Sequence, residues 1–143
     1  MRKITILGAT GSVGKKTAEI ISSSKKKYNV IGLTGYDNYK LLSKLAIKLN
    51  CKYAVIGNKE KFLKLKELLK ATKIKCLCGE KAINKVASLK TDIIFSCIVG
   101  LAGLKPTISC IKNTRIIALA NKETLVGAGK IIISETKKHN TTI

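Results

Sequence analysis

The sequence predicts an α/β fold, a doubly wound parallel sheet in a single domain, and three observations carry that prediction. Short β-branched runs alternate with helical patterns along the chain, and such alternation builds βαβ units whose crossover helices return each strand to the same end of the sheet. The length of 143 residues suits one domain, and a hydrophobic content of 45% with a mean hydropathy of +0.14 provides a core. A single proline, eleven glycines near element ends and no internal repeat exclude a linker or low-complexity tract.

The first strand is expected at Lys3 to Leu7. After a glycine loop comes a helix from about Ser12 to Ser22, in which Val13, Thr17, Ile20 and Ile21 recur at helical spacing. The polar stretch Ser22 to Lys27 ends it. A second strand at Asn29 to Leu33 precedes a helix with Leu41, Leu42, Leu45 and Leu49 on one face and Lys40, Lys44 and Lys48 on another, the lysines towards solvent. The third unit pairs strand Tyr53 to Ile56 with a helix carrying Phe62, Leu65 and Leu69. The fourth pairs strand Lys73 to Leu77 with a helix around Ala82 to Ala87. Ile93 to Val99 and Arg115 to Leu119 are nearly unbroken apolar runs, which predicts central strands covered on both faces; a helix from Leu104 to Lys112 joins them. A last helix runs from near Lys122 towards Lys138, with Gly127, Gly129 and the isoleucines at 131 to 133 disturbing its pattern, and Thr141-Thr142-Ile143 reads as a strand cut short.

The chemistry starts at the first strand-to-helix junction. Gly8, Gly11 and Gly14 stand at three-residue intervals in Leu7-Gly8-Ala9-Thr10-Gly11-Ser12-Val13-Gly14. In a dinucleotide-binding, Rossmann-type loop the first glycine permits the tight turn, the second lets backbone approach a pyrophosphate, and the third lets helix pack on strand. Helix-start N–H groups and the positive end of the helix dipole then face the phosphates. Thr10 and Ser12 add hydroxyl donors, and Lys15 or Lys16 adds positive charge. A merely structural turn is the competing reading; the β-like run before the loop and the amphipathic helix after it favour the ligand.

Two further places carry polar groups at strand ends. Asp37 lies 23 residues after Gly14, near the ~20-residue spacing of an acidic ribose ligand, which favours a free 2′-hydroxyl and NAD; equally, Asp37 could cap the helix beginning near Asn38. Asn121-Lys122-Glu123 ends the sixth apolar run with an amide, an ammonium and a carboxylate, either lining the crevice at the carboxyl end of the sheet or starting a helix, with Asn121 as N-cap and Glu123 in the first turn.

The net charge of +20 invites a nucleic-acid interface. Lysines are nonetheless scattered over nearly every element, and the six aromatics form no stacking pattern, so the charge reads as a solvated basic surface without specific nucleic-acid binding. The cysteines Cys51, Cys76, Cys78, Cys97 and Cys110 are odd in number and lie mostly in apolar runs, as reduced packing thiols do; Cys76-Leu-Cys78 has the wrong spacing for zinc, and the sole histidine, His139, is far away in sequence. The apolar segment after Met1-Arg2-Lys3 is too short for a signal core or membrane span. The chain reads as cytosolic, or as mature protein stripped of a targeting segment for a plastid-type organelle.

Together, GATGSVG at the N-terminus, IVGLAGLKPT at Ile98 to Thr107 and LANKETLV at Leu119 to Val126 closely resemble the 1-deoxy-D-xylulose 5-phosphate reductoisomerase family, in the family's order and across essentially the whole chain. LANKETLV is the most specific of the three. The resemblance implies an NADPH-dependent isomeroreductase, also requiring a divalent metal (magnesium or manganese), that converts 1-deoxy-D-xylulose 5-phosphate to 2-C-methyl-D-erythritol 4-phosphate in the non-mevalonate isoprenoid pathway. It implies a homodimer. By position, Thr10, Gly11, Ser12 and Val13 would contact the cofactor phosphates, Asn38 would lie by the adenosine ribose, Asn121 and Glu123 would hold the nicotinamide side, and Lys122 would reach the substrate.

Two departures from the family stand out. Tyr36-Asp37 occupies the place where the family usually offers a glycine or asparagine and then a basic residue for the 2′-phosphate, and a carboxylate repels that dianion. The family's metal ligands, substrate phosphate site and C-terminal helical domain would fall beyond Ile143; the eight acidic residues within the chain contain no close pair to seat a hard cation. Residues 1–143 are thus expected to be a dinucleotide-binding domain without catalytic residues, which binds cofactor and does not turn over. The rival readings are the cofactor domain of another NAD(P)-dependent reductase, such as a semialdehyde-type dehydrogenase with a cysteine and a nearby base, or a basic phosphate- or nucleic-acid-binding module.

Overall fold

The computed structural model describes residues 1–143, apart from the side chain of Lys25. Six strands and six helices alternate: β1 (Arg2–Leu7), α1 (Ser12–Ser23), β2 (Tyr28–Gly35), α2 (Tyr39–Leu49), β3 (Tyr53–Ile56), α3 (Phe62–Leu69), β4 (Lys75–Cys78), α4 (Glu80–Ala87), β5 (Thr91–Ser96), α5 (Leu104–Cys110), β6 (Thr114–Leu119) and α6 (Lys122–Lys138). All pairings are parallel, in the order β4-β3-β2-β1-β5-β6. The chain winds outward from β1 to β4, then crosses back to lay β5 on the other side of β1. Between β1 and β5 the crossovers diverge, and that is where open α/β sheets form a ligand crevice.

Both faces of the sheet are covered. Ile4 and Ile6 of β1 join Ala18 and Ile21 of α1, Leu42 and Leu45 of α2, and Leu65 and Leu69 of α3 in one core. Leu7 joins Ala87 of α4, Cys110 of α5, and Ala128 and Ile132 of α6 in the other. Period-two alternation sends consecutive β1 side chains to opposite faces, and both faces here are buried. Each wholly buried leucine contributes roughly 1.5–3 kcal/mol of transfer free energy, Leu42 and Leu65 among them.

Several boundaries differ from the sequence expectation. β2 runs on to Gly35 and β4 begins at Lys75. In α1 the buried residues are Gly14, Ala18 and Ile21, whereas Val13 and Ile20 of the expected periodic set are 49% and 66% exposed. Gly14 and Ala18 are small because this helix lies close against β1, so the packed face is not the one with the large side chains. The apolar run from Ile93 ends as strand at Ser96, and Cys97 to Gly100 leave the sheet as a loop. Arg115 to Leu119 was expected as a central strand; β6 instead ends the six-stranded order, with Arg115 and Ile116 exposed. Its outer side meets a single parallel bridge between Ile116 and Thr142, all that Thr141-Thr142-Ile143 contributes as strand.

Candidate functional site

The loop after β1 is fixed to its neighbours on both sides. Gly8 donates its N–H to the Thr34 hydroxyl (2.9 Å), Ala9 donates to the Thr34 carbonyl (2.7 Å), and Cys97 donates to the Leu7 carbonyl (2.9 Å). Gly8 has φ +77°, and a Cβ there would stand 2.9 Å from the backbone of Cys97 and Ile98; only glycine meets both demands. At Gly14 a Cβ would fall 2.0 Å from the Gly8 carbonyl oxygen. Gly11 differs: its Cβ would meet only that oxygen, at 3.5 Å, so the space above it is left open on the protein side.

Gly11 is the N-cap of α1, with no side-chain capping bond and no acidic residue in the first turn. The first N–H groups of a helix lack intrahelical partners, and those of Ser12, Val13 and Gly14 are therefore presented at the positive end of a twelve-residue helix. Beside them opens a cleft of about 860 Å³, lined by Gly8, Thr10 and Gly11, by Thr34 to Asn38 at the end of β2, and by Cys97 to Val99 beyond β5. It lies at the switch point between β1 and β5, and its size falls within the ~300–1,000 Å³ of small-molecule sites. A second hollow of about 900 Å³ lies at the opposite, amino-terminal ends of the strands, beside Arg2 and Arg115; it contains none of the glycine loop.

At the end of β2, Asn38 rather than Asp37 caps α2, its Oδ1 accepting from Leu41 N–H (3.0 Å). Asp37 is instead exposed on the cleft wall and accepts from the Asn58 side-chain amide (2.7 Å). Tyr36, 69% exposed, lines the same wall. Across the cleft, Lys105 pairs with Glu80 at 3.0 Å, both well exposed, a contact worth little in water.

Asn121 lies two residues beyond the end of β6 and is 3% exposed. Its Oδ1 accepts from Thr124 N–H (3.2 Å), capping α6, and its Nδ2 donates to the carbonyls of Ile98 (2.6 Å) and Gly100 (2.7 Å). Lys122 and Glu123 occupy the exposed first turn of α6, beside the cleft rather than in its lining. No sequence signal pointed to Thr34 or to the Asn121 bonds with Ile98 and Gly100, because each joins residues more than twenty positions apart.

The buried thiols Cys51, Cys97 and Cys110 are unsuited to nucleophilic work. Burial pushes Cys51 and Cys110 up to about 12 and raises Cys97, the one thiol in the cleft, with the Thr17 hydroxyl pulling weakly the other way. His139 follows the far end of α6, next to Thr141, which bonds the carbonyls of Ile111 and Thr114 at the start of β6. It therefore sits at the opposite end of the sheet from Cys97. Among the described residues no three His, Cys, Asp or Glu side chains converge to hold a metal ion, and no helix is long and apolar enough to cross a membrane.

The family model described as 1-deoxy-D-xylulose 5-phosphate reductoisomerase matches residues 4–129. The chain belongs to this family. A reductoisomerase of Wolbachia from Brugia malayi is 42% identical over the whole chain, and one from Thermoanaerobacter pseudethanolicus is 37% identical. The chain spans 37% of the length of each. Among solved structures, the reductoisomerase of Zymomonas mobilis in complex with NADPH superposes with a TM-score of 0.96 at 39% identity, over 99% of this chain and 37% of its own. A reductoisomerase in complex with NADPH, fosmidomycin and magnesium gives 0.93 at 32% identity, over 100% of this chain and 36% of its own.

Proposed function

We propose that residues 1–143 are the dinucleotide-binding domain of a 1-deoxy-D-xylulose 5-phosphate reductoisomerase, and that the cleft between β1 and β5 receives NADPH. The observation that carries this is the uncapped start of α1 facing the cleft, with Gly11 leaving open the space above it. An anion is the natural complement of such a helix start. Gly8, Thr10, Gly11, Ser12, Val13 and Gly14 would cradle the pyrophosphate, Asp37 and Asn38 would flank the adenosine ribose at the end of β2, and Asn121 and Glu123 would serve the nicotinamide side, with Lys122 reaching towards substrate. When bound, NADPH supplies the hydride that reduces 1-deoxy-D-xylulose 5-phosphate to 2-C-methyl-D-erythritol 4-phosphate. The chain's own groups bind and orient it.

The described residues offer no ligand set for the family's magnesium or manganese, so this domain is inferred to bind cofactor without turning over alone. Homodimeric assembly and a cytoplasmic or plastid-type location follow from the resemblance. The basic surface is read as solvated, without a specific nucleic-acid partner.

The test is titration of NADPH and NADH at two salt concentrations, followed by nicotinamide fluorescence or calorimetry. Saturable binding with NADPH preferred is expected. Preference for NADH would make Asp37 a ribose ligand and overturn the NADPH assignment, and steeply salt-dependent binding to any polyanion without saturable dinucleotide binding would favour the basic-module reading.

A further inference from the structure

The Asn121 side chain joins the loop after β5 to the start of α6 by hydrogen bonds. Both of its amide N–H groups are engaged, by Ile98 O at 2.6 Å and Gly100 O at 2.7 Å. Its oxygen meanwhile holds Thr124 N–H. An amide has two donors, so this side chain has none left for a ligand, and at 3% exposure it has little surface to offer one. What it holds does face the cleft: Ile98 and Val99 form part of the lining. Gly100 has φ +69° with no protein atom within 4 Å of a built Cβ, and its carbonyl also accepts from Gly103 N–H (3.3 Å). A Cβ on Gly103 would lie 2.8 Å from both Asn121 Nδ2 and Ile98 O. The glycine at 103 thus makes room for the amide.

We propose that Asn121 is a positioning residue, whose amide staples the Ile98–Gly100 loop into the shape that receives the nicotinamide half of the dinucleotide. The assignment rests on the dinucleotide reading above. A dinucleotide crosses the crevice at the switch point with its adenosine over the end of β2; its other half then falls on the β5 and β6 side, where this loop stands. The direct-contact role that the resemblance implies for the Asn121 side chain would require breaking one of the two short bonds and orphaning a carbonyl.

Asn121→Asp separates the parts. Aspartate keeps the acceptor that caps α6 and is a good N-cap, yet it replaces Nδ2 with an oxygen facing two carbonyl oxygens. In the ligand-free variant, amide exchange across residues 98–103 should quicken roughly tenfold or more, as expected for the loss of two hydrogen bonds, while residues 8–14 remain as in the wild type. NADPH should then bind roughly tenfold more weakly while 2′-phospho-AMP, which carries only the adenosine side, binds within about twofold of wild type. Gly103→Ala, which crowds the same amide without altering it, should show the same split. Unchanged exchange at 98–103 would overturn the staple, and equal weakening of NADPH and 2′-phospho-AMP would overturn the positioning role. Wild-type protein that fails to bind NADPH while the exchange changes appear would sink the dinucleotide reading and the cofactor role of Asn121, leaving the dinucleotide-independent staple measured.

Discussion

A methyl group on Gly14 would stand 2.0 Å from the carbonyl oxygen of Gly8. The obstacle is backbone, which cannot swing aside, so Gly14→Ala must push α1 off β1. Overpacking of this kind costs roughly 1–3 kcal/mol, and urea unfolding should show a lower midpoint. Gly11→Ala is the contrast. Its Cβ meets ordinary contact and its φ of −74° suits alanine, so the unfolded-chain gain is offset by alanine's poorer fit at an N-cap and stability should change by no more than about 1 kcal/mol, while calorimetry shows NADPH affinity falling because the methyl fills the open space. Equal loss of stability in both variants would contradict this division of roles.

Two threonines should respond with opposite signs. The Thr34 hydroxyl satisfies Gly8 N–H, and Thr34→Val leaves that donor stranded at a cost of roughly 1–3 kcal/mol. Thr5 is wholly buried and its hydroxyl has no partner; the isosteric Thr5→Val removes a polar group already paying for desolvation, and should stabilise by about 1 kcal/mol. Thermal melts of the two variants against wild type decide it.

On the dinucleotide reading proposed above, the Asp37 carboxylate is expected to set the choice between NADPH and NADH. Asp37→Asn keeps an acceptor for the Asn58 amide and removes the charge. Repulsion of about 1 kcal/mol between unit charges 4 Å apart in water corresponds to roughly fivefold in affinity, so NADPH should tighten about fivefold with NADH unchanged or weaker. A variant with an unaltered NADPH-to-NADH ratio would remove Asp37 from the adenosine end.

Buried thiols make the fold sensitive to alkali. Burial raises Cys51 and Cys110 from 9.0 to about 12 in the folded chain, so above pH 9 the unfolded chain loses its thiol protons first. Their contribution is complete below about pH 9 and declines as pH rises towards 12. By pH 10 the loss should be about 1 kcal/mol per thiol. Urea unfolding of wild type and of Cys51→Ala with Cys110→Ala at pH 7 and pH 10 should show the shallower pH dependence in the double variant.

Element order was legible because alternating β and helical patterns are written locally, and Tyr53 to Ile56 and Lys122 to Lys138 coincide with their expected bounds. The glycine loop was legible for the same reason: Gly8, Gly11 and Gly14 act within one turn of chain. Position in the sheet was not. Arg115 to Leu119 has an apolar run like that of an inner strand, and nothing local reveals that it ends the sheet order, with a bridge to Thr142 in place of a further strand. The packed face of α1 was missed because periodicity weights large side chains, whereas close helix–strand approach selects Gly14 and Ala18. Asn121 looked like an ordinary cap, and it is one; its two bonds to Ile98 and Gly100 depend on a fold that brings together residues 23 and 21 positions apart.

The start of α1 presents main-chain amides, and amides are indifferent to the side chains they carry. A ligand held there exerts little selection on which residues follow Gly11, provided the helix forms and the glycines stay. Val13, exposed beside it and carrying no polar group, contributes there through its main chain alone. A lineage can therefore acquire a surface as basic as this one while its recognition of phosphate stays the same, and changes of cofactor preference are left to the few side chains at the end of β2.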